Sequence, residues 1–311
     1  VVVPTLDGGE RFEQCLAALA RQVPQVDALV VIDSGSADGS EQAAARAGAH
    51  VISIDRAEFN HGLTRNQGAF TLTDVDVIVF LVQDAVIEGD DCLELLAQGA
   101  LEEGVGAVTA RQLPPLDASP LTRATVERSP MAFAEPRRIG PLSVEQLDGY
   151  GPDDWRSQLL LDDVACAVRG ALFRQSGFRQ AVFGEDALLA FDLLWGGWAL
   201  AHEPRAVVRH GHEYDATSVG PRYLADARFF RECFGLAVRP GLLSMAKGFV
   251  AQVLADRRWL AAHPDVDQPG LLGHSASLRW AQVLAQWKGS RGPLGGLPER
   301  RQLPRPGELA A

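Results

Sequence analysis

The chain predicts an α/β fold: a mostly parallel sheet flanked by helices, with a helical extension at its C-terminal side. Three observations carry this expectation. Across residues 1–112, short Val- and Ile-rich runs alternate with helix-length spacers, the rhythm of parallel strands joined by crossover helices. The runs are continuously apolar rather than alternating, as in strands whose two faces are both covered. Finally, carboxylates stand where apolar runs stop. Asp33 closes residues 28–33, Asp84 closes residues 77–84, and Asp186 follows Phe183-Gly-Glu185 at the start of a helix-like stretch. Ligands of open α/β sheets bind beyond the carboxyl ends of the strands, so these acids point to one phosphate-and-metal site assembled from distant parts of the chain.

In order, strands are expected at residues 1–5, 29–33, 50–54, 75–83 and 105–110. Helices are expected between them at 9–22, 38–47, 63–70 and 91–101. Residues 113–152 then hold Pro114, Pro115, Pro120, Pro130, Pro136, Pro141 and Pro152. That density opposes regular structure, so 113–160 reads as an irregular segment, either a lid or binding loop or else disordered. Folded structure resumes with a strand at 164–173, a helix at 185–194 and a strand at 206–209. Apolar spacing predicts helices at 224–234, 242–260 and 277–287. The expected organisation is an α/β domain over 1–215, divided into a first half (1–112), the irregular segment and a second half (161–215). A helical extension (216–290) and a flexible tail (291–311) follow.

Composition narrows the function. The 311 residues are 47% hydrophobic and carry a net charge of -11, with a pI near 5.1. That balance argues against nucleic-acid binding but leaves phosphate ligands open, because a divalent cation offsets local acid charge. Cys15, Cys92, Cys166 and Cys233 form no close pair, which predicts buried thiols in a reducing compartment. No secretory leader or membrane span is legible. The chain begins inside a strand, so native residues are expected before Val1. A cytoplasmic location follows. Residues 271–311 carry a net +4, with Trp280 and Trp287 among them. This stretch reads either as a basic contact with the inner face of a membrane or as a solvated helix and loose end.

Several side chains carry candidate chemistry. Asp33 opens Asp33-Ser-Gly-Ser-Ala-Asp38-Gly39, which lacks the dinucleotide glycine pattern. It suits a base N–H or a ribose hydroxyl, whereas Asp38 suits a helix N-cap. Arg65 can pair with phosphate near a helix start, and Asn66 can bond a base or sugar edge. Asp84 is a hard oxygen ligand for Mg²⁺ or Mn²⁺ shared with substrate phosphates. Glu185 and Asp186 are either first-turn acids stabilised by the helix dipole or include a general base. His210 and His212 alternate along the chain, so either could join Asp84 at a metal.

As a set, these motifs resemble the inverting family 2 glycosyltransferases of the GT-A fold. The resemblance rests on Val3-Pro-Thr-Leu-Asp7, Asp33 to Gly39, Thr64-Arg-Asn66, Gln83-Asp84-Ala85, Gly184-Glu-Asp186 and His210. It is similar in particular to the rhamnosyltransferase-like branch, through Glu58-Phe-Asn-His-Gly62, His210-Gly-His212 and Arg222-Tyr223. It spans about residues 1–235. The resemblance implies nucleotide binding by Pro4, Thr5, Asp7, Asp33, Arg65, Asn66 and Gln83. It implies Mg²⁺ or Mn²⁺ at Asp84 and His210, with His212 the less favoured imidazole, and Asp186 as the base. Glu185, Asp153, Trp155 and His212 fall on the acceptor side, where Trp155 could stack on a sugar ring or pack in the core.

The implied reaction moves one sugar from dTDP-rhamnose, or from a UDP-sugar, to a glycan or lipid-linked acceptor. Two departures stand out: Gln83 occupies the first acid position of the usual D-x-D, and Asp7 stands where Asn is common. A sugar nucleotidyltransferase, a glycoside hydrolase and a non-catalytic nucleotide-sugar-binding protein are the competing readings.

Overall fold

The computed structural model describes residues 1–266 and 269–309. Nine strands form one sheet. They are β1 (Val2–Thr5), β2 (Val30–Asp33), β3 (His50–Ser53), β4 (Val77–Leu81), β5 (Val86–Glu88), β6 (Val105–Leu113), β7 (Arg137–Ile139), β8 (Ala165–Arg169) and β9 (Ala199–Arg209). The order is β3-β2-β1-β4-β8-β6-β9-β5, with β7 also on β9. The first four strands are parallel, with Thr5 level with Asp33 and Asp33 level with Ser53. Beyond β4 the directions mix. β8 runs antiparallel to both β4 and β6, β6 and β9 are parallel, and β5 and β7 run antiparallel to β9. This is the α/β architecture expected, with the antiparallel pairings confined to the second half of the sheet.

Helices cover both faces, and each face has its own core. Val2, Ile32, Phe80, Phe173, Leu189 and Phe191 belong to one, and Val3, Phe12, Val31, Leu81, Leu96 and Val108 to the other. Alternate residues of one strand thus point to opposite cores, which is why the strands read as unbroken apolar runs.

Three expectations change. The stretch 164–173 is not one strand: β8 ends at Arg169, and a helix Gly170–Ser176 begins at the next residue. A Cβ at Gly170 would meet the Val75 carbonyl oxygen at 2.0 Å, so the chain turns there only because glycine lets the backbones touch. The segment 113–160 is not irregular. It contains helices Pro120–Glu127, Val144–Asp148 and Pro152–Gln158 as well as β7. Pro120 and Pro152 sit in first turns, where no N–H is needed, so these prolines start helices.

The described part of the tail, up to residue 309, forms no helix or strand but lies on the domain. Arg300 pairs with Asp148 and covers the Trp195 ring, Arg301 donates to the Ser176 carbonyl at 2.5 Å, and Trp198 donates to the Pro304 carbonyl at 2.7 Å. These contacts tie the arginines to the domain, so the tail is not the loose basic end expected. Ala310 and Ala311 of that tail, and Asp267 and Gln268 of the helical extension, lie outside the described residues. The extension consists of helices Gly220–Phe234, Leu242–Ala262 and Leu271–Gly289. Among the described residues no helix is long and apolar enough to cross a membrane.

Candidate functional site

One cleft of about 630 Å³ opens along the sheet edge where β1, β4, β6 and β9 end, a size suited to a small-molecule ligand. At the β1 side its floor is fixed by Gln83. The Gln83 Oε1 accepts from Thr5 Oγ1 and from the Leu6 N–H, both at 2.8 Å, and Nε2 donates to the Leu6 carbonyl at 3.2 Å. The residue that replaces an acid therefore clips the end of β4 to the end of β1. Pro4, Thr5 and Leu6 line the cleft.

Asp33 is 2% exposed. Its Oδ1 accepts from the Gly35 and Ser36 N–H groups at 3.0 and 2.9 Å, while Oδ2 is buried with no partner among the described residues. A buried acceptor left unmet is costly. Asp7 Oδ1 accepts from Ala37 N–H at 2.8 Å, tying the first loop to the second, and like Asp33 it does not line the cleft. Asp38 likewise accepts from the Gly9 and Ser40 N–H groups at 2.8 and 2.9 Å.

Asp84 meets both histidines. His210 Nε2 lies 3.7 Å from its Oδ1 and His212 Nδ1 lies 3.8 Å from its Oδ2. Ligand atoms of the three residues all fall within 4.8 Å of one another, as one cation would require. His210 is buried where β9 ends, and burial lowers its pKa, which keeps the imidazole neutral as a metal ligand must be. His212 is the more exposed of the two.

A second cluster stands across the cleft. Carboxylate oxygens of Asp162, Asp163 and Asp186 lie within 4.8 Å of one another. Asp186 sits in the first turn of helix Glu185–Trp195, whose N-cap Gly184 has φ 79°. A side chain there would strain the backbone and press into the Phe229 ring at 2.6 Å, so glycine is required. The helix dipole favours the ionised form of a first-turn acid. Against that, burial and the charges of Asp163, Asp162 and Glu185 push its pKa well above the ordinary 3.8. Burial, with repulsion from Asp163, pushes Glu185 up to about 8 against the opposing pull of Arg65.

Arg65 is the cation inside this cluster. Its guanidinium lies 3.1 Å from Asp163 and 3.3 Å from Glu185 and donates to the His61 carbonyl at 3.0 Å, with 1% of the residue exposed. Helix His61–Ala69 comes this close because Gly62 has no side chain; a Cβ there would meet the Arg179 carbonyl oxygen at 2.7 Å. Arg65 borders the cleft, but its charge is committed to two protein acids rather than held out for phosphate. Asn66 is no nucleotide ligand in this arrangement either: its amide is spent on the Phe178 backbone, donating at 2.8 Å and accepting at 2.7 Å.

The acceptor-side expectation needs the largest correction. Trp155 is 0% exposed and packs against Tyr150, Phe191, Trp195 and Phe234, so it belongs to the core. Asp153 is exposed on its helix and does not line the cleft. The far wall comes partly from the proline-rich segment 113–160 and partly from the helical extension, which was not assigned to the site from sequence. Thr122 and Thr125 on helix Pro120–Glu127 line the cleft together with Tyr223, Leu278 and Arg279 of the helical extension. Arg279 is held by Asp256 at 2.8 and 3.0 Å and by Thr125 Oγ1 at 2.7 Å. Gln112 at the end of β6 is 7% exposed, and its Nε2 has no partner among the described residues.

Asp162 and Asp163 were also missed, for a definable reason. They precede a strand, whereas the rule for parallel sheets looks after strands. Because β8 is antiparallel to β4, its start lies at the edge where β4 ends, and Val82 N–H donates to the Val164 carbonyl at 3.1 Å. An acid pair directly before an apolar run was the available signal.

Comparison with known proteins gives a consistent picture. The family model "Glycosyl transferase family 2" matches residues 1–146. The O-antigen chain rhamnosyltransferase RfbN of Salmonella typhimurium is 31% identical over 236 residues, 75% of this chain and 72% of the relative. The O-antigen chain rhamnosyltransferase WbaN of Salmonella anatum is 30% identical over the same shares. Among solved structures, the mannosyltransferase PcManGT of Pyrobaculum calidifontis, in complex with GDP-Man and Mn²⁺, superposes with a TM-score of 0.54 at 19% identity, covering 93% of this chain and 84% of that one. S. aureus TarS 1-349 gives 0.50 at 14% identity, covering 92% and 89%.

Proposed function

Because the chain belongs to the family 2 glycosyltransferases and is a nucleotide-sugar-dependent enzyme, we propose that it transfers a single L-rhamnose from dTDP-rhamnose to a hydroxyl of a glycan or lipid-linked acceptor, with inversion. The observation that carries the reading is that one cleft is lined by both Asp84–His210–His212 and the Asp186 cluster. One group suits a diphosphate with its cation, the other suits a proton acceptor. The rhamnosyl donor and an O-antigen-type acceptor rest on the two Salmonella relatives.

In this reading Asp33 takes an N–H of the nucleobase on its unpaired Oδ2, and Thr5 lies beside the nucleotide where Gln83 fixes the loop. Asp84, His210 and His212 would hold a divalent cation, which would supply charge neutralisation on the leaving diphosphate. Two imidazoles in the donor set favour Mn²⁺ over Mg²⁺, since Mg²⁺ takes oxygen ligands almost exclusively. Asp186 takes the acceptor proton as the hydroxyl attacks the anomeric carbon opposite the departing diphosphate. Its raised pKa makes it a stronger base than an ordinary carboxylate. Arg65 positions this base by fixing Glu185 and Asp163 beside it. Gln112 and the helical wall carry the acceptor side.

The test is turnover of dTDP-rhamnose and of UDP-sugars with Mn²⁺ and Mg²⁺, followed by release of the nucleoside diphosphate. Rhamnosyl transfer with Mn²⁺ is expected. Turnover of UDP-sugars alone would replace the donor assignment, and donor binding without transfer to any glycan acceptor would remove the catalytic one.

A further inference from the structure

The helical extension has an outer face that the cleft does not use. Helix Leu242–Ala262 packs on helix Leu271–Gly289 but leaves Leu243 70%, Val250 53% and Leu254 41% exposed. These lie at i, i+7 and i+11, so they form one stripe along the helix. Lys247, Arg257 and Arg258 are exposed on the same face. Trp280 of the neighbouring helix, 46% exposed, meets Phe249 edge-on with ring centroids 5.7 Å apart and widens the apolar strip. An apolar stripe bordered by cations marks a surface that meets a partner rather than bulk water.

Charge identifies that partner. Within the two helices the lone acid is Asp256, which is fully buried between Arg128 and Arg279. The exposed face therefore carries cations and no carboxylate, on a chain whose net charge is -11. A second copy would set Lys247, Arg257 and Arg258 against their own equivalents. An anionic lipid surface would pair with them, while it repels the acidic remainder and so fixes the orientation. Neither helix is apolar enough to span a bilayer. We propose that this face docks the protein peripherally on an anionic membrane, with Leu243, Val250, Leu254 and Trp280 in the interface and Lys247, Arg257 and Arg258 at the headgroups. The inner side of the same helix pair lines the cleft through Leu278 and Arg279, so docking would bring the acceptor wall toward the bilayer. The docking inference itself needs no particular sugar donor.

The test is co-flotation of the full chain with vesicles of phosphatidylcholine alone or of phosphatidylcholine with phosphatidylglycerol. Binding is expected to the anionic vesicles and not to the neutral ones, and to weaken in high salt. Leu243→Glu with Leu254→Glu, and separately Arg257→Ala with Arg258→Ala, should each lower the bound fraction roughly tenfold. Both pairs are at exposed positions, so the circular dichroism and the transfer to a soluble acceptor should be unchanged. Absence of flotation, or flotation that ignores these substitutions, would overturn the proposal. A stable dimer dissolved by the same substitutions would assign the face to a second copy instead.

Discussion

The two acid clusters of the cleft use the same residue type for opposite ends. Asp84 stands with two imidazoles, one kept neutral by burial, so the group offers nitrogen as well as oxygen donors. Asp186 stands with Asp162, Asp163 and Glu185 around the single cation Arg65. Burial and this crowding of acids drive the pKa values of Glu185 and Asp186 upward. A carboxylate's role is thus set by its neighbours: nitrogen donors make a cation site, and crowded acids make a base.

The largest effect should come from removing the base. Asp186→Asn should cut transfer by roughly 10²–10⁴-fold while donor binding persists. The same change should stabilise the protein. A carboxyl with a folded pKa above its unfolded value stabilises fully below that unfolded value, and the benefit is lost as pH rises through the folded one. The melting temperature of Asp186→Asn should therefore exceed that of the wild type by more at pH 8 than at pH 5. Equal differences at both pH values would mean that the crowding of acids is not felt.

Next is the cation that restrains the acids. Arg65→Gln leaves Asp163 and Glu185 buried without their partner, a change that costs about 3–5 kcal/mol in comparable buried pairs. It should also lower kcat and raise the acidic limb of the pH–rate profile, because the positive charge that favoured ionisation is gone. Donor affinity should hold; if that alone collapses, Arg65 contacts phosphate after all.

On the other side of the cleft, Asp84→Ala should weaken Mn²⁺-dependent nucleotide binding by more than about tenfold, the loss typical even for groups that merely support a metal ligand. Calorimetric titration with and without Mn²⁺ measures it, and wild-type metal dependence would separate Asp84 from the cation. The smallest effect sharpens the contrast. Asp162→Asn keeps the oxygen that accepts from Val164 N–H but removes one charge near Asp186. The acidic limb of kcat should then move to lower pH by on the order of one unit.

What was legible in the sequence follows from locality. The strands of the parallel half, helix Glu185–Trp195 with its glycine start, and Asp33, Asp84 and Asp186 could all be found, because apolar runs and their ends are local features. The pairing of Asp84 with His210 and His212 was anticipated, though it joins residues more than a hundred positions apart. Arg65 and Asn66 were recognised as special, yet their roles were not: a buried arginine between two acids reads, in one dimension, like an arginine awaiting phosphate.

The sequence by itself determined the α/β architecture, the family and the residues at the ends of the parallel strands, since these depend on patterning within a few residues. Tertiary structure alone decided which acids became neighbours. It brought Asp162 and Asp163 to the cleft by running β8 antiparallel, moved Trp155 into the core, tied the tail's arginines to the domain surface and made the helical extension part of the far wall. Those outcomes depend on strand direction and on packing between distant segments, and the electrostatics of Asp186 follow from them: a pKa records the charges within a few ångströms, whatever their distance along the chain.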